Sequence, residues 1–316
     1  MSHRKERKKV QVISKRTSEG ICGVQCSYGV SRLQGKRPSM EDRTLILPMV
    51  TSSMAVFGVF DGHDGAQAAE FTIRKLTLVF EDLLSEVWSG PEELFKRLME
   101  EIDNKFCAVA VSKRIYSGTT ALITVIVQAE NGDRRLVVSN VGDSRAFLCV
   151  QGKAKSVSIC HKPEMEVGRI TDAGGWLCEE REMTQLGECV TWRLNGGLSL
   201  SRAIGDVEYK RLKNVYAKSA GCDWDFPSGH SKNFAADLVI AEPDVYVHDV
   251  SPKDEFIILA SDGLWDVIDG ERAVMQACSM LHDGCSAQII AERLAEEAIT
   301  LGSLDNVTVL IVMFWQ

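Results

Sequence analysis

The chain lacks the short patterns that mark export, membrane insertion and nucleotide binding. Residues 1–5 contain no apolar signal core, and N-myristoylation would need glycine where Ser2 stands. The longest apolar runs, such as Val309 to Trp315, are too short to cross a bilayer. Neither a Gly-x-Gly-x-x-Gly motif nor a P-loop is present. We expect an intracellular protein, in the cytoplasm or also in the nucleus, without a transmembrane segment.

Cysteine is plentiful, but its spacing lacks a metal or disulfide signature. None of the ten cysteines forms a Cys-x-x-Cys pair, and no histidine pair has zinc-ligand spacing. Disulfide frameworks are typical of short secreted chains, and a chain of 316 residues is not one. We therefore expect reduced, mostly buried thiols. The net charge of -8 weighs against a general nucleic-acid-binding protein.

No internal repeat or low-complexity linker divides the chain, so one large domain is the simplest organisation. We predict a basic N-terminal extension over residues 1–22 and a single domain over 23–316. The extension contains Arg4-Lys5-Glu6-Arg7-Lys8-Lys9. Such a cluster is open to three interpretations: a nuclear address, a tether to an anionic surface, or a solvated tail.

Apolar periodicity predicts a fold of mixed strands and helices. The predicted strands are Met54 to Phe60, Ala121 to Val127, Arg135 to Ser139, Ala146 to Val150, Ser156 to Ile159, Leu238 to Ala241, Val245 to Val250, Phe256 to Ala260 and Val307 to Trp315. The predicted helices are Ala66 to Val87, a segment starting at Pro91, Glu271 to Leu281, and Ala287 to Leu301. The Asn131-Gly132 hairpin signal favours antiparallel sheets. We expect an α+β fold, a four-layer α-β-β-α sandwich of two antiparallel sheets flanked by helix pairs.

Four acidic motifs lie at the ends of these apolar stretches. They are Gly35-Lys36-Arg37-Pro38-Ser39-Met40-Glu41-Asp42, Asp61-Gly62-His63-Asp64-Gly65, Asp262-Gly263-Leu264-Trp265-Asp266 and Asp305-Asn306. Buried strands can bring such carboxylates to a common point. Carboxylate oxygens suit Mg²⁺, Mn²⁺ or Ca²⁺ rather than thiophilic metals. An arginine beside the first motif suits a phosphate substrate.

One Asp-Gly pair indicates only a turn, whereas the four motifs together indicate two-metal hydrolysis. Two cations about 3.5–4 Å apart, held around Asp61, Asp262 and Asp305, can convert a shared water to hydroxide near neutral pH. Arg37 can hold two phosphate oxygens. His63 can protonate the leaving alkoxide.

Further motifs give the chain a specific resemblance over residues 27 to 316. They are Ser117-Gly118-Thr119-Thr120-Ala121, Gly142-Asp143-Ser144-Arg145, His161-Lys162-Pro163, Asp172-Ala173-Gly174-Gly175, Leu198 to Asp206, and Glu242-Pro243. With the acidic motifs, the chain resembles the metal-dependent serine/threonine protein phosphatases of the PPM family, type 2C. The resemblance implies hydrolysis of phosphoserine and phosphothreonine by direct attack of a dimetal-bound hydroxide. It also implies phosphoprotein substrates, and we expect a monomer without a nucleic-acid partner.

The resemblance implies a role for each matching residue. Asp61 would bridge two Mn²⁺ or Mg²⁺ ions, Asp262 and Asp305 would complete one ion, and Glu41 (through water) and the Gly62 carbonyl would serve the other. Asp42 would orient metal-bound water, and Asp143 with Asp262 and Asp266 would form a weaker third site. Arg37 would bind phosphate, His63 would be the general acid, and Arg193 would be a second, more peripheral basic residue.

Departures from the family pattern lie in or beside the expected flap, residues 162–195. Cys160 replaces the usual aspartate, and the stretch from Pro163 to Ile170 is shorter than usual. The segment from Val207 to Leu238 is longer than usual and carries Lys210, Arg211, Lys213 and Lys218. It is either a surface element that selects substrates by charge or a solvated loop.

Two other functions compete with the phosphatase hypothesis: a scaffold that lost catalysis, and a metal-dependent nuclease. A scaffold would be expected to lack a metal-ligating carboxylate or the arginine, and this chain retains them all. A nuclease is disfavoured by the acidic net charge and the lack of a long basic stripe.

Overall fold

The fold consists of strands and helices whose bounds follow the predicted alternation closely. The structure, a computed structural model, describes residues 20–21, 24, 26–80, 83–184, 187–210 and 234–314. Within these ranges the strands are β1 Gly20–Ile21, β2 Cys26–Leu33, β3 Arg43–Thr51, β4 Met54–Phe60, β5 Gly62–His63, β6 Gly118–Thr119, β7 Ala121–Gln128, β8 Arg134–Val141, β9 Arg145–Val150, β10 Lys153–Ser156, β11 Leu177–Thr184, β12 Gly187–Leu194, β13 Ile204–Gly205, β14 Asp244–Val250, β15 Asp254–Ala260 and β16 Val307–Phe314. The helices are α1 Gln67–Val79, α2 Leu84–Ser89, α3 Pro91–Lys113, α4 Val167–Asp172, α5 Asp262–Trp265, α6 Gly270–His282 and α7 Ala287–Leu301, with 3₁₀ turns at Pro163–Met165 and Val207–Tyr209.

Two antiparallel sheets form the centre of the molecule. One has the strand order β1-β2-β16-β15-β9-β10, and the other has the order β14-β8-β7-β4-β3. The facing sides of the sheets share a core that includes Phe57, Leu122, Leu259 and Leu310. Helices α1 to α3 pack on the outer face of the β3-β4 sheet, and α6 and α7 pack on the outer face of the other. The predicted α-β-β-α sandwich is therefore confirmed.

Helix-capping residues and apolar runs in the sequence predicted several elements correctly. The Ser286 hydroxyl accepts a hydrogen bond from the amide of Ile289 at the start of α7. Gly302 ends the same helix with φ 106°. The final strand β16 lies between β2 and β15, so its predicted central position is confirmed.

Three predicted elements were wrong in extent. The helix expected over 66–87 is two helices, since α1 ends at Val79 and α2 begins at Leu84. The strand expected over 156–159 is β10, because Gln151 and Gly152 both have positive φ and form a tight two-residue turn. Residues 238–241 form only an isolated bridge, between Ile240 and Arg202; nearby Pro243 cannot donate a ladder hydrogen bond.

Lys210, expected at the surface of the segment 207–238, is buried instead, and its ammonium group forms an ion pair with Asp103 of α3. Val207 and Tyr209 are buried as well, and the role of the segment in substrate selection stays a prediction. Arg211, Lys213 and Lys218 lie outside the described residues, as does the basic cluster at 4–9. Among the cysteines whose side chains the structure describes, Cys26, Cys107 and Cys149 are fully buried, and Cys160, Cys178, Cys278 and Cys285 are partly buried. No helix among the described residues is long and apolar enough to cross a membrane.

Candidate active site

The predicted metal-binding carboxylates meet at one end of the sandwich. Asp61 follows the last residue of β4, Asp143 follows β8, and Asp262 follows β15. Asp305 precedes β16, which runs antiparallel to β15, so it reaches the same end. One carboxylate oxygen from each of Asp61, Asp143 and Asp262 lies within 4.8 Å of the others.

Close backbone approach explains the glycine after Asp61. A Cβ atom on Gly62 would lie 2.7 Å from the carbonyl oxygen of Glu41, so only glycine lets the two segments come together. The Glu41 carboxylate is fixed by the amide of Gly65, at 3.0 Å, and by the hydroxyl of Ser39, at 2.6 Å. Glu41 and Gly62 are thus neighbours in space.

Asp42 is fully buried behind this cluster. Its Oδ2 atom accepts hydrogen bonds from the hydroxyls of Ser261 (2.9 Å) and Thr308 (2.6 Å). Its Oδ1 atom is buried without a hydrogen-bond partner. Burial raises the pKa of Asp42 to about 6, although the two hydroxyls oppose the shift.

The cluster fits hard divalent cations. Burial, followed by the charges of neighbouring carboxylates, raises the pKa of Asp61 and of Asp262 well above the ordinary aspartate value. Such carboxylates ionise together only beside a strong positive charge. The oxygen-only donor set and the unpartnered Oδ1 atom of Asp42 suit Mg²⁺ or Mn²⁺.

Lys162 contributes a positive charge to the carboxylate cluster, which the sequence analysis did not predict. The Lys162 ammonium group lies 2.6 Å from Asp143 Oδ2. Burial alone would lower the pKa of Lys162, but the charges of Asp143 and Asp262 raise it. The sequence signal for Lys162 was the His161-Lys162-Pro163 motif, to which the sequence analysis gave no role.

Asp266 was expected to join Asp143 at the third metal site. It lies one helical turn beyond Asp262, and its backbone amide donates a hydrogen bond to the Asp262 carbonyl oxygen.

A cavity of about 380 Å³ opens over the cluster. Arg37, Arg193, His63 and three of the carboxylates, those of Asp61, Asp262 and Asp305, line it. The Arg37 side chain is 57% exposed, and its Nη2 atom lies 2.6 Å from Asp305 Oδ2. Arg193 lies at the rim, where it is paired with Glu180 at 2.7 Å. Two guanidinium groups facing one cavity suit an anionic, phosphate-bearing ligand.

His63 has a charged partner that its sequence motif did not reveal. Its Nε2 atom lies 2.7 Å from Oδ1 of Asp206, which is buried. Burial alone would lower the pKa of His63, but the charge and hydrogen bond of Asp206 raise it to about 9. A Cβ on Gly118 would lie about 2 Å from both side chains, which explains glycine in the 117–121 motif. A histidine protonated at neutral pH is suited to give a proton to a leaving group.

Sequence comparison agrees with this geometry. Residues 26–307 match the family described as PP2C, protein phosphatase 2C. The chain belongs to the protein phosphatase 2C family. It is 36% identical over 294 residues to "Probable protein phosphatase 2C 59" of Oryza sativa subsp. japonica, covering 91% of this chain and 76% of that protein. It is also 34% identical over 303 residues to "Protein phosphatase 2C homolog 2" of Schizosaccharomyces pombe, covering 91% and 72%.

Solved structures show the same fold. A serine-threonine phosphatase 2C from Toxoplasma gondii superimposes with a TM-score of 0.63 at 22% sequence identity, covering 92% of this chain and 95% of that one. Family membership confirms the predicted resemblance and the expectation of a protein phosphatase. The predicted roles of individual residues stay predictions, although the fold brings Arg37, Glu41, Asp61, His63 and Asp262 to one cavity.

Proposed function

We propose that this protein phosphatase 2C hydrolyses phosphoserine and phosphothreonine in protein substrates, with two Mn²⁺ or Mg²⁺ ions and a weaker third. The observation that carries the proposal is the cluster of Asp61, Asp143 and Asp262 beside a cavity lined by Arg37 and His63. When bound, such ions supply an activated water molecule that attacks phosphorus directly. We assign this activity to a catalytic domain spanning residues 23–316.

The ligand assignment is the one that the family resemblance implies. Asp61 would hold two ions, and Asp262 and Asp305 would complete one of them. Glu41, through water, and the Gly62 carbonyl would hold the other. Asp42 would orient water with its unpartnered Oδ1 atom. Asp143, Asp262 and Asp266 would hold the third ion.

The remaining polar groups would bind and protonate the substrate. The exposed Arg37 guanidinium can exchange its contact with Asp305 for two oxygens of the phosphate. His63 would donate its proton to the serine or threonine oxygen as the ester bond breaks, and Asp206 keeps that proton available. Arg193, at the rim, would contact the phosphopeptide farther from phosphorus.

A metal-depletion experiment on the full chain tests this proposal. EDTA should abolish hydrolysis of a phosphoserine peptide, and Mn²⁺ or Mg²⁺ should restore it. Asp61→Asn should lose at least ~10³-fold in kcat if the activated water is the nucleophile. Asp249→Asn is the matched control, because that aspartate is 78% exposed and lies on β14. Full activity in EDTA, or near-normal turnover by Asp61→Asn, would refute the mechanism.

A further inference from the structure

Three potential metal ligands lie together outside the catalytic cluster. They are Cys149 of β9, Glu255 of β15 and Cys278 of α6. The two sulfur atoms are 3.4 Å apart, and one ligand atom from each residue lies within 4.8 Å of the others. Glu255 lies near the start of β15, and Asp262 follows the other end of that strand, seven residues later, so at about 3.3 Å per residue the two groups are on the order of 20 Å apart.

A β-bulge brings the glutamate to the cysteines. In the β9-β15 ladder, Val150 pairs with Asp254 and Cys149 pairs with Phe256, so Glu255 is the extra residue. Cys149 and Phe256 both face the helices, and in a regular strand Glu255 would face the opposite side. A bulge re-aims a side chain, and here the Glu255 carboxylate lies beside both thiols. Its Oε1 atom is fixed by the amide of Gly152, at 2.8 Å.

We propose that Cys149, Cys278 and Glu255 form a binding site for one thiophilic divalent cation of the zinc class, with solvent as the fourth ligand. Thiolate and carboxylate are both zinc ligands, and tetrahedral coordination with Zn–S bonds of about 2.3 Å separates two sulfurs by about 3.8 Å. The observed separation of 3.4 Å is close to that value. Cys278 and Glu255 are partly exposed, which gives the cation a way in.

The same residues fit a disulfide less well. A disulfide requires sulfurs about 2.05 Å apart, so the two would have to approach by more than 1 Å. A divalent cation would be attracted by the carboxylate and would displace the thiol protons.

Donor chemistry separates this site from the catalytic one. The catalytic cluster offers only oxygen ligands, which select hard ions, whereas two thiolates select soft ones. Because the site joins α6 to two strands of one sheet, an ion bound there would tie the helix to the sheet. The proposal does not depend on the mechanism proposed for the catalytic site.

Cobalt binding tests the proposal directly. The full chain, reduced and freed of metal, is titrated with Co²⁺, which substitutes for zinc and gives a sulfur-to-cobalt charge-transfer band only with thiolate ligands. With the catalytic cluster filled by excess Mg²⁺, the band should saturate at one equivalent of cobalt and disappear when Zn²⁺ displaces cobalt. Cys278→Ser and Cys149→Ser should abolish it. Glu255→Gln should weaken binding at least about tenfold, since even groups that only orient ligands cost about 10–100-fold.

Cys285→Ser is the matched control, because Cys285 is a partly buried cysteine that follows the same helix. It should keep the band. Cys149 is fully buried, so circular dichroism checks that its variant is folded; if it is not, Cys278→Ser and Glu255→Gln carry the test. A parent protein without the band, a band that survives Cys278→Ser, or a parent that forms a Cys149–Cys278 disulfide instead of binding cobalt would overturn the proposal.

Discussion

The buried ion pair between Lys210 and Asp103 gives a sharp prediction for stability. Lys210 is only 4% exposed. Its Nζ atom lies 2.6 Å from Asp103 Oδ1 and 3.1 Å from the Ala203 carbonyl oxygen. The same carboxylate oxygen accepts the amide hydrogen of Gly205 at 2.8 Å. The pair therefore anchors the loop that presents Asp206 to His63 against helix α3.

Lys210→Met keeps the long apolar stem and removes the ammonium group. Asp103 is then left as a buried carboxylate without a cation, and breaking a buried pair from one side costs about 3–5 kcal/mol. We expect the free energy of unfolding to fall by about that amount. The double variant Asp103→Asn/Lys210→Met should recover most of the loss, because replacing both members of a buried pair is often nearly neutral.

Urea unfolding followed by circular dichroism measures these changes. Lys96→Met is the matched control: its ammonium group pairs with Glu242 at the surface, 2.8 Å away, and its removal should change the unfolding midpoint little. The reasoning is refuted if Lys210→Met is as stable as Lys96→Met. It is also refuted if the double variant is no more stable than Lys210→Met alone.

Three further predictions concern the catalytic cluster and the flap. Asp262→Asn should lower kcat by at least ~10³-fold and weaken Mn²⁺ binding in calorimetry; normal values for both would contradict its assignment as a ligand. His63→Gln should reduce turnover of a phosphoserine peptide by about 10²-fold but affect an activated aryl phosphate less, and equal losses would indicate a structural role. Burial alone would raise the pKa of Glu166, but hydrogen bonds from Arg202 and Arg169 lower it to about 2. The ionised Glu166 carboxylate therefore stabilises the fold above pH ~4.5, and this stabilisation is lost as the pH falls toward 2. In Glu166→Gln, the free energy of unfolding should no longer decrease over that pH range because of this group. An acid-unfolding curve identical to that of the parent protein would contradict the predicted role of Glu166.

Strongly periodic, locally signalled elements were predictable from the sequence, and irregular ones were not. The strand Met54–Phe60 is buried along its whole length, and its seven residues are apolar or glycine. Strand β3 was missed because it contains Pro48, which is tolerated since β3 lies at the edge of its sheet. The β11-β12 hairpin was missed as well, since polar residues dominate β11.

The same distinction applies to the candidate site. Three of the four acidic motifs carried their own local signal, an aspartate at a strand end beside glycine or asparagine, so those carboxylates could be named in advance. Asp206 could not be assigned to His63, because 143 residues separate them and the contact depends on how a distant loop is anchored. Lys210 was misassigned because a lysine at the start of a long loop is ordinarily solvated, and only the fold shows its buried partner.

The pairing of β2 with β16 has a consequence for biosynthesis. Residues 26–33 form a ladder with residues 307–314, so the large sheet joins its second strand to its last. The ribosome synthesises Asp305 and β16 only after nearly all of the other strands. Strand pairs that are far apart in sequence also form slowly. A nascent chain stalled before residue 305 should therefore show no phosphatase activity, and release of the full chain should restore it. The catalytic cluster therefore stays incomplete on the ribosome until residues 305–314 have been synthesised.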